Sequence, residues 1–284
     1  MSKAINVLIV VVLISAIAML LYPTISDQYS QYANNRRILS YSREIEVIDP
    51  TANAEMLSAA RAYNEVIKNT EIRDAFDEAA IETSEEYQAL LNPNGDGVMG
   101  LIEIPKIGVR LPIYHGTNES DLVRGAGHME GTSLPVGGES THCGIAGHRG
   151  LPSAKLFSDL DQMQRGDVIY LNILGELLVY QVDLISVVLP YELDYMSVIE
   201  GEDYLTLVTC TPYGVNTHRL LVRGRRARLE DLVDTLTFAD SVERALDWQG
   251  ALVCAAPVAA VGFLLMLLIR PKRKYGLKKP TKRR

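Results

Sequence analysis

DYLTLVTCTPYGVNTHRLLVRGRR, residues 203–226, alternates apolar and polar side chains up to Cys210, turns through Thr-Pro and a Gly-Val-Asn stretch, and resumes at His218. The pattern reads as a hairpin-like strand pair with Cys210 near the start of the partner strand. Either His218 or Arg219 then comes within reach of the thiol. Neighbours in a strand face opposite sides, so only one of the two readily shares its face. A thiol attacks as thiolate, and only a few per cent is ionised at neutral pH without help. A nearby guanidinium favours the thiolate and offers two hydrogen bonds to charge developing on an attacked carbonyl oxygen. Arginine keeps its proton, so the acid for a departing amine is a different group, and histidine suits that role. On pattern alone, a cysteine ending a buried strand is more often a small core residue and a strand arginine a solvated or paired surface group. The histidine in GIAGHRG is more often a loop residue.

Working outward, the runs VMGLIEI, VRLPIY, CGIAG, DVIYLNI, LLVYQVDLISVVL, YLTLVTC and HRLLVRGRRA are separated by Gly, Pro and Asp signals. They predict an antiparallel barrel or sandwich of seven or eight strands. The turn NPNGDG precedes them. Residues 54–91 read as helical: Met56, Leu57, Ala60, Tyr63, Asn64 and Ile67 recur at spacings of three and four, and TSEEYQALL continues after a break. A last helical stretch, LEDLVDTLTFADSVERAL, follows the strands.

The chain has 284 residues and 48% hydrophobic content, enough for one well-buried domain plus further segments. The excess lies in residues 4–22 (AINVLIVVVLISAIAMLLY) and 250–269 (GALVCAAPVAAVGFLLMLLI), both uncharged and of membrane-crossing length. The second stretch runs into RPKRKYGLKKPTKRR, with nine Lys or Arg and no acid, which places the C-terminus in the cytoplasm. Removing those nine charges and Lys3 from the net charge of -7 leaves -17 for residues 4–269. An exported domain this acidic is a poor nucleic-acid binder. The first stretch is a retained anchor or a cleaved signal peptide, and either exports the middle of the chain. Three cysteines cannot all pair; Cys254 falls in the second apolar stretch, leaving Cys143 and Cys210 outside. The expected order is an N-terminal span over 1–25, a helical region over 40–97 and a β domain over 98–228. A helix or linker over 229–249, a span over 250–270 and a basic tail over 271–284 follow.

TLVTC followed nine residues on by Arg219 resembles the signature strand pair of the sortases, and GIAGHRG resembles their histidine loop. IEIPKIGVRLPIYHGT, GAGHMEGTSLPVGG and LFSDLDQMQRGDVIYL resemble further segments, so the resemblance spans most of residues 98–226. It implies a mainly β fold, a sortase-like eight-stranded β-barrel with N-terminal helices and a transmembrane helix at each end. It also implies a cysteine transpeptidase without a cofactor, with Cys210 as nucleophile, His148 as acid/base and Arg219 as oxyanion stabiliser. His115, His128, His142 and His218 are then structural or loop residues. A metal reading of His142, Cys143 and His148 lacks a fourth ligand at recognisable spacing.

The implied reaction is attack of Cys210 on the Thr carbonyl of a Leu-Pro-x-Thr-Gly-like sorting signal, release of the Gly amine, and resolution of the acyl-enzyme by a second amine. Ala62-Tyr63-Asn64 and the C-terminal span with its basic tail resemble the class C, pilus-building sortases of Gram-positive bacteria. The implied partners are pilin precursors carrying sorting signals, a pilin lysine and the lipid bilayer. The implied location is the cell membrane, with the catalytic domain outside and the tail in the cytoplasm. Alternatives are a housekeeping enzyme that anchors surface proteins to cell-wall precursor, a cysteine protease that uses water, and a non-enzymatic surface module. Class C enzymes carry an Asp-Pro-aromatic lid over the site. Here IRDAFDEAA offers Asp74 and Phe76 with Ala75 where proline is expected. The same segment also reads as a helix with Ile72, Phe76 and Ala79 on its apolar face. Asp49-Pro50 is a poorer lid, since Thr51 follows it.

Overall fold

The computed structural model describes residues 3–67, 72–77 and 84–228. The expected linker helix, second span and basic tail, residues 229–284, lie outside the described residues. Helix α1 (Lys3–Val47) changes character along its length. Its first part belongs to a separate unit of the chain and is described by itself. Leu8, Val12 and Met19 there are exposed, and among the described residues α1 is the one helix long and apolar enough to cross a membrane.

Further along α1, Asn34, Ile38, Tyr41 and Ile45 recur at four, three and four residues, which puts them on one face. Ile38, Tyr41 and Ile45 pack on Val98, Leu101 and Tyr114 of the sheet. The Tyr41 hydroxyl donates to the Met99 carbonyl at 3.0 Å and accepts from the Leu174 amide at 2.9 Å. Helix α2 (Pro50–Val66) starts earlier than its apolar spacing predicts. Asp49 caps it, accepting from the Thr51 amide at 2.9 Å, and Pro50 fits the first turn, where no amide bond is needed. Asp49-Pro50 is thus a helix start. Asn64 of α2 is buried and clasps the barrel: its amide donates to the Leu134 carbonyl at 3.2 Å and its oxygen accepts from the Leu134 amide at 2.7 Å.

The eight strands are β1 (Val98–Ile104), β2 (Val109–His115), β3 (Ala126–His128), β4 (Thr141–Ala146), β5 (Val168–Ile173), β6 (Glu176–Val188), β7 (Asp203–Thr211) and β8 (His218–Arg226). They close into a barrel in the order β1-β2-β3-β4-β7-β8-β6-β5. Seven match the expected runs; β3, three residues long, had no strand pattern to announce it. The wholly antiparallel expectation is corrected at two seams, since β2–β3 and β4–β7 are parallel. Side-chain alternation marks a strand and its faces but carries no direction, so it could not tell these pairs from antiparallel ones. Strand β1 is buried at every position because the core lies on one side and the docked part of α1 covers Val98 and Leu101 on the other.

Helix α3 (Glu85–Ala89) is pinned by Tyr87. Its hydroxyl bonds His128 Nδ1 at 2.7 Å and accepts from the Gly116 amide at 3.0 Å, while His128 Nε2 faces the Ser133 carbonyl at 2.9 Å. Tyr87 thus donates to Nδ1, and Nε2–H donates to Ser133, which requires a neutral imidazole. Burial pushes the His128 pKa down to about 4.

Two outcomes are expected. Asn64→Ala leaves the Leu134 amide and carbonyl without these partners and lowers stability by about 1–3 kcal/mol, read as a fall in the thermal midpoint. The depressed His128 pKa makes its contribution fully present above about pH 6.5 and lost as the pH falls through about 4, because the unfolded chain takes up the proton first. The midpoint should therefore drop across that window, and His128→Asn should flatten the drop. An equal slope in the variant would rule out His128 as its source.

Candidate active site

Strand β7 lies between β4, which runs parallel to it, and β8, which runs antiparallel. Cys210 is the register partner of Arg219, and Thr211 that of His218. Register partners share a face, so the sheet selects Arg219 over His218 for the thiol. His218 turns elsewhere, its Nδ1 2.9 Å from Thr217 Oγ1.

The third residue follows from the parallel seam. The β4–β7 register runs from Thr141↔Asp203 to Ala146↔Val208. It continues through the Gly147 amide, which donates to the Val208 carbonyl at 3.0 Å, and through Thr209 Oγ1, which donates to the Gly147 carbonyl at 2.7 Å. The strand pairing ends there, and His148 follows directly after Gly147, on the segment leaving β4 beside the last residues of β7. Cys210 and Arg219 are paired across β7 and β8, and His148 lies on the segment that leaves β4, on the other side of β7. Gly147 allows this close turn: a Cβ there would lie 2.6 Å from the Phe157 ring. The Phe157 amide in turn donates to the His148 carbonyl at 3.1 Å.

The other histidines are held in internal hydrogen bonds. His142 contacts Thr206 Oγ1 at 2.7 Å and the Ser197 carbonyl at 3.0 Å, and His115 contacts the Leu90 carbonyl at 2.6 Å. Cys143 is unpaired and buried, and burial pushes its thiol far up. Among the described residues no group of three or more His, Cys, Asp or Glu is arranged to hold a metal.

Residues 72–77 lie across this site as a turn at Ala75 and Phe76, not as the alternative helix. The geometry explains the choice. In a helix, residues two apart point about 200° apart, so Asp74 and Phe76 could not both face the same site. The Asp74 carboxylate receives Arg219 Nε at 2.8 Å and Nη2 at 2.5 Å. Arg219 Nη1 is also engaged, by the Asn216 and His218 carbonyls at 3.2 Å. The Phe76 ring lies between the partners, its centroid 5.6 Å from that of His148 and 5.1 Å from the Arg219 guanidinium carbon. Ala75, 3% exposed, packs in a cluster with Leu122, Met129, Met196 and Leu221.

The electrostatics follow from this cover. Burial pushes the Cys210 thiol up, Arg219 pulls it down, and Asp74 adds to the rise. Cys210 is only 7% exposed. Three further side chains at the site carried no sequence signal. Glu119 accepts from His148 Nε2 at 2.8 Å across 29 residues of chain. Arg149 Nη1 reaches Thr211 Oγ1 at 3.3 Å, tying the loop of His148 to the residue after Cys210. Tyr195 packs beside Ala75 and Phe76, and burial pushes its hydroxyl up to about 12. Each pairing joins distant loops, so no local spacing reveals it.

A thiol, a histidine and a charged donor pair in register are equipped for acyl transfer. Comparison with known proteins leads to the same chemistry. Residues 102–227 match the sortase domain family. Sortase A of Streptococcus agalactiae serotype III is 30% identical over 185 residues, covering 63% of this chain and 72% of that protein. The crystal structure of sortase C-1 from Actinomyces oris is 45% identical with a TM-score of 0.60, over 62% of this chain and 99% of that one. The Streptococcus pneumoniae sortase C structure, which bears on pilin substrate specificity, is 44% identical with a TM-score of 0.61, over 68% and 97% respectively. With this fold and these relatives, the chain belongs to the sortase family of cysteine transpeptidases and is most like its class C members.

Proposed function

We propose that this sortase cleaves an LPxTG-like sorting signal between Thr and Gly and joins the acyl group to a pilin lysine by an isopeptide bond. The roles we assign are Cys210 as nucleophile, His148 as acid/base and Arg219 as oxyanion donor, with Asp74 and Phe76 as a lid over the resting site. The observation that carries this reading is the cross-strand Cys210–Arg219 pair with Asp74 seated on the guanidinium. Asp74 occupies two Arg219 donors of the kind that could serve an attacked carbonyl oxygen. Substrate and lid therefore compete for the same hydrogen bonds.

Once the lid leaves, Cys210 loses a nearby negative charge and part of its burial, and both changes favour the thiolate. The thiolate adds to the Thr carbonyl, Arg219 receives the developing charge, and His148 protonates the departing Gly amine. A lysine amine then resolves the thioester. The pilin is carried over from the pilus-related relatives, among them the sortase C structure concerned with pilin substrates, and the lysine acceptor is what the class C resemblance implies. The apolar start of α1 suits a membrane anchor. A second span over 250–270, with the barrel outside, completes the proposed topology. A housekeeping role is the second reading, favoured by the likeness to proteins named sortase A.

Replacing Asp74 and Phe76 together with Ala should speed alkylation of Cys210, followed by peptide mass, by tenfold or more at neutral pH. It should also move the pH midpoint of labelling down, since Asp74 and burial both raise the thiol. An unchanged rate and midpoint would sink the lid. With a sorting-signal peptide, a pilin lysine peptide should yield a cross-linked product that is lost in Cys210→Ala. Hydrolysis alone would count against transfer to lysine, and preference for a cell-wall precursor amine would favour the housekeeping reading.

A further inference from the structure

His148 has two ring nitrogens, and the structure treats them differently. Nε2 lies 2.8 Å from Glu119 Oε2, while Nδ1 has no hydrogen-bond partner among the described residues. Glu119 opens the short helix α4 (Glu119–Leu122) between β2 and β3. The other end of α4 is anchored: Leu122 is 1% exposed and packs with Ala75 in the cluster beneath the lid. Its methyl also lies against Gly127, where a Cβ would stand 2.9 Å away. The Glu119 carboxylate is thus presented to the imidazole from a fixed element even though its side chain is largely exposed.

A carboxylate accepts only, so the ring must donate, and the proton of the neutral imidazole is placed on Nε2. From this geometry we infer that Glu119 is the positioning residue of His148. It fixes the Nε2–H tautomer and thereby assigns Nδ1 as the nitrogen that exchanges protons during transfer. The inference rests on the proposed role of His148 as acid/base.

The proton balance runs through one atom. Nδ1 accepts the Cys210 thiol proton, giving an imidazolium whose charge the Glu119 carboxylate offsets while the thiolate attacks the Thr carbonyl carbon. As the tetrahedral intermediate collapses, the C–N bond breaks, Nδ1–H passes its proton to the Gly amine and the thioester remains. The incoming lysine amine then adds to the thioester and gives a proton to Nδ1. The C–S bond breaks, and the thiolate leaves to recover its proton. Without Glu119 the ring is free to carry its proton on Nδ1, where it cannot accept from the thiol. That loss bears on the chemical step and not on peptide binding.

The test uses the full chain in detergent, with transfer of a sorting-signal peptide to an amine as the rate assay and 15N-histidine NMR as the tautomer assay, the His148 resonances being assigned by their loss in His148→Ala. The expected result is a neutral His148 protonated at Nε2 in the wild type. Glu119→Ala should lower kcat about tenfold to a hundredfold with KM within about twofold, and shift the tautomer toward Nδ1–H. Glu119→Gln, whose side-chain oxygen still accepts from Nε2, should recover the tautomer and part of the rate. An unchanged kcat in Glu119→Ala, or Nδ1–H as the wild-type tautomer, overturns the inference. A large rise in KM with kcat intact overturns it as well, because Glu119 would then be a substrate contact. Full activity in His148→Ala overturns the reading of the site itself. Loss of activity in His148→Ala beside full activity in Glu119→Ala overturns the inference alone.

Discussion

The site depends on one constraint, the register of β7 between a parallel neighbour and an antiparallel one. The antiparallel seam sets Cys210 against Arg219, and the parallel seam carries the chain that leads into His148 along the other side of β7. A parallel pair needs a long crossover, and here the chain between β4 and β7 contains β5 and β6, which close the barrel on its far side. The segments that carry these three residues are therefore brought together only when the whole barrel is closed. A slip of one residue at either seam would turn a side chain to the other face and dismantle the arrangement.

The cover over this site follows from the same charge that the site is built around. Arg219 is almost fully buried, with 7% of its side chain exposed. A cation held that far from water requires hydrogen-bonding partners, and breaking such a pair costs about 3–5 kcal/mol when nothing replaces the lost partner. Asp74 meets the need from a turn, with Ala75 packed underneath and Phe76 laid between His148 and the guanidinium. A carbonyl oxygen gathering negative charge would meet it as well. In the reaction we propose, Asp74 and that oxygen compete for the same guanidinium. Tyr195 and Leu122 line the same cluster, so residues 72–77 lean on the β6–β7 connection and on α4 as well as on the ion pair.

The helices show why binding to the barrel is read from single side chains. The docked stretch of α1 presents Ile38, Tyr41 and Ile45 to β1 and β2, and Tyr41 satisfies two backbone groups that would otherwise be buried without partners. Asn64 of α2 bonds the Leu134 amide and carbonyl, and Tyr87 of α3 the Gly116 amide. The Ala-Tyr-Asn motif, legible in the sequence as a family resemblance, thus acquires a physical meaning, because its Asn64 is a clasp that holds the helical region against the β3–β4 connection.

By itself the sequence determined what local spacing can encode. Seven of the eight strands, the helical character of α2 and α3 and the choice of His218 or Arg219 as partner of Cys210 follow from periods of two and of three to four and from turn residues close together in the chain. Tertiary structure alone decided the parallel seams, the three-residue β3, the docked face of α1, and the turn of residues 72–77 in place of a helix. It also decided that Arg219 and not His218 is paired with Cys210, and which nitrogen of His148 meets Glu119. The reason is physical: alternation marks a face but not a direction or a partner. The contacts of His148 with Phe76 and Glu119, and of Arg219 with Asp74, span 29 to 145 residues and exist only after the barrel has closed.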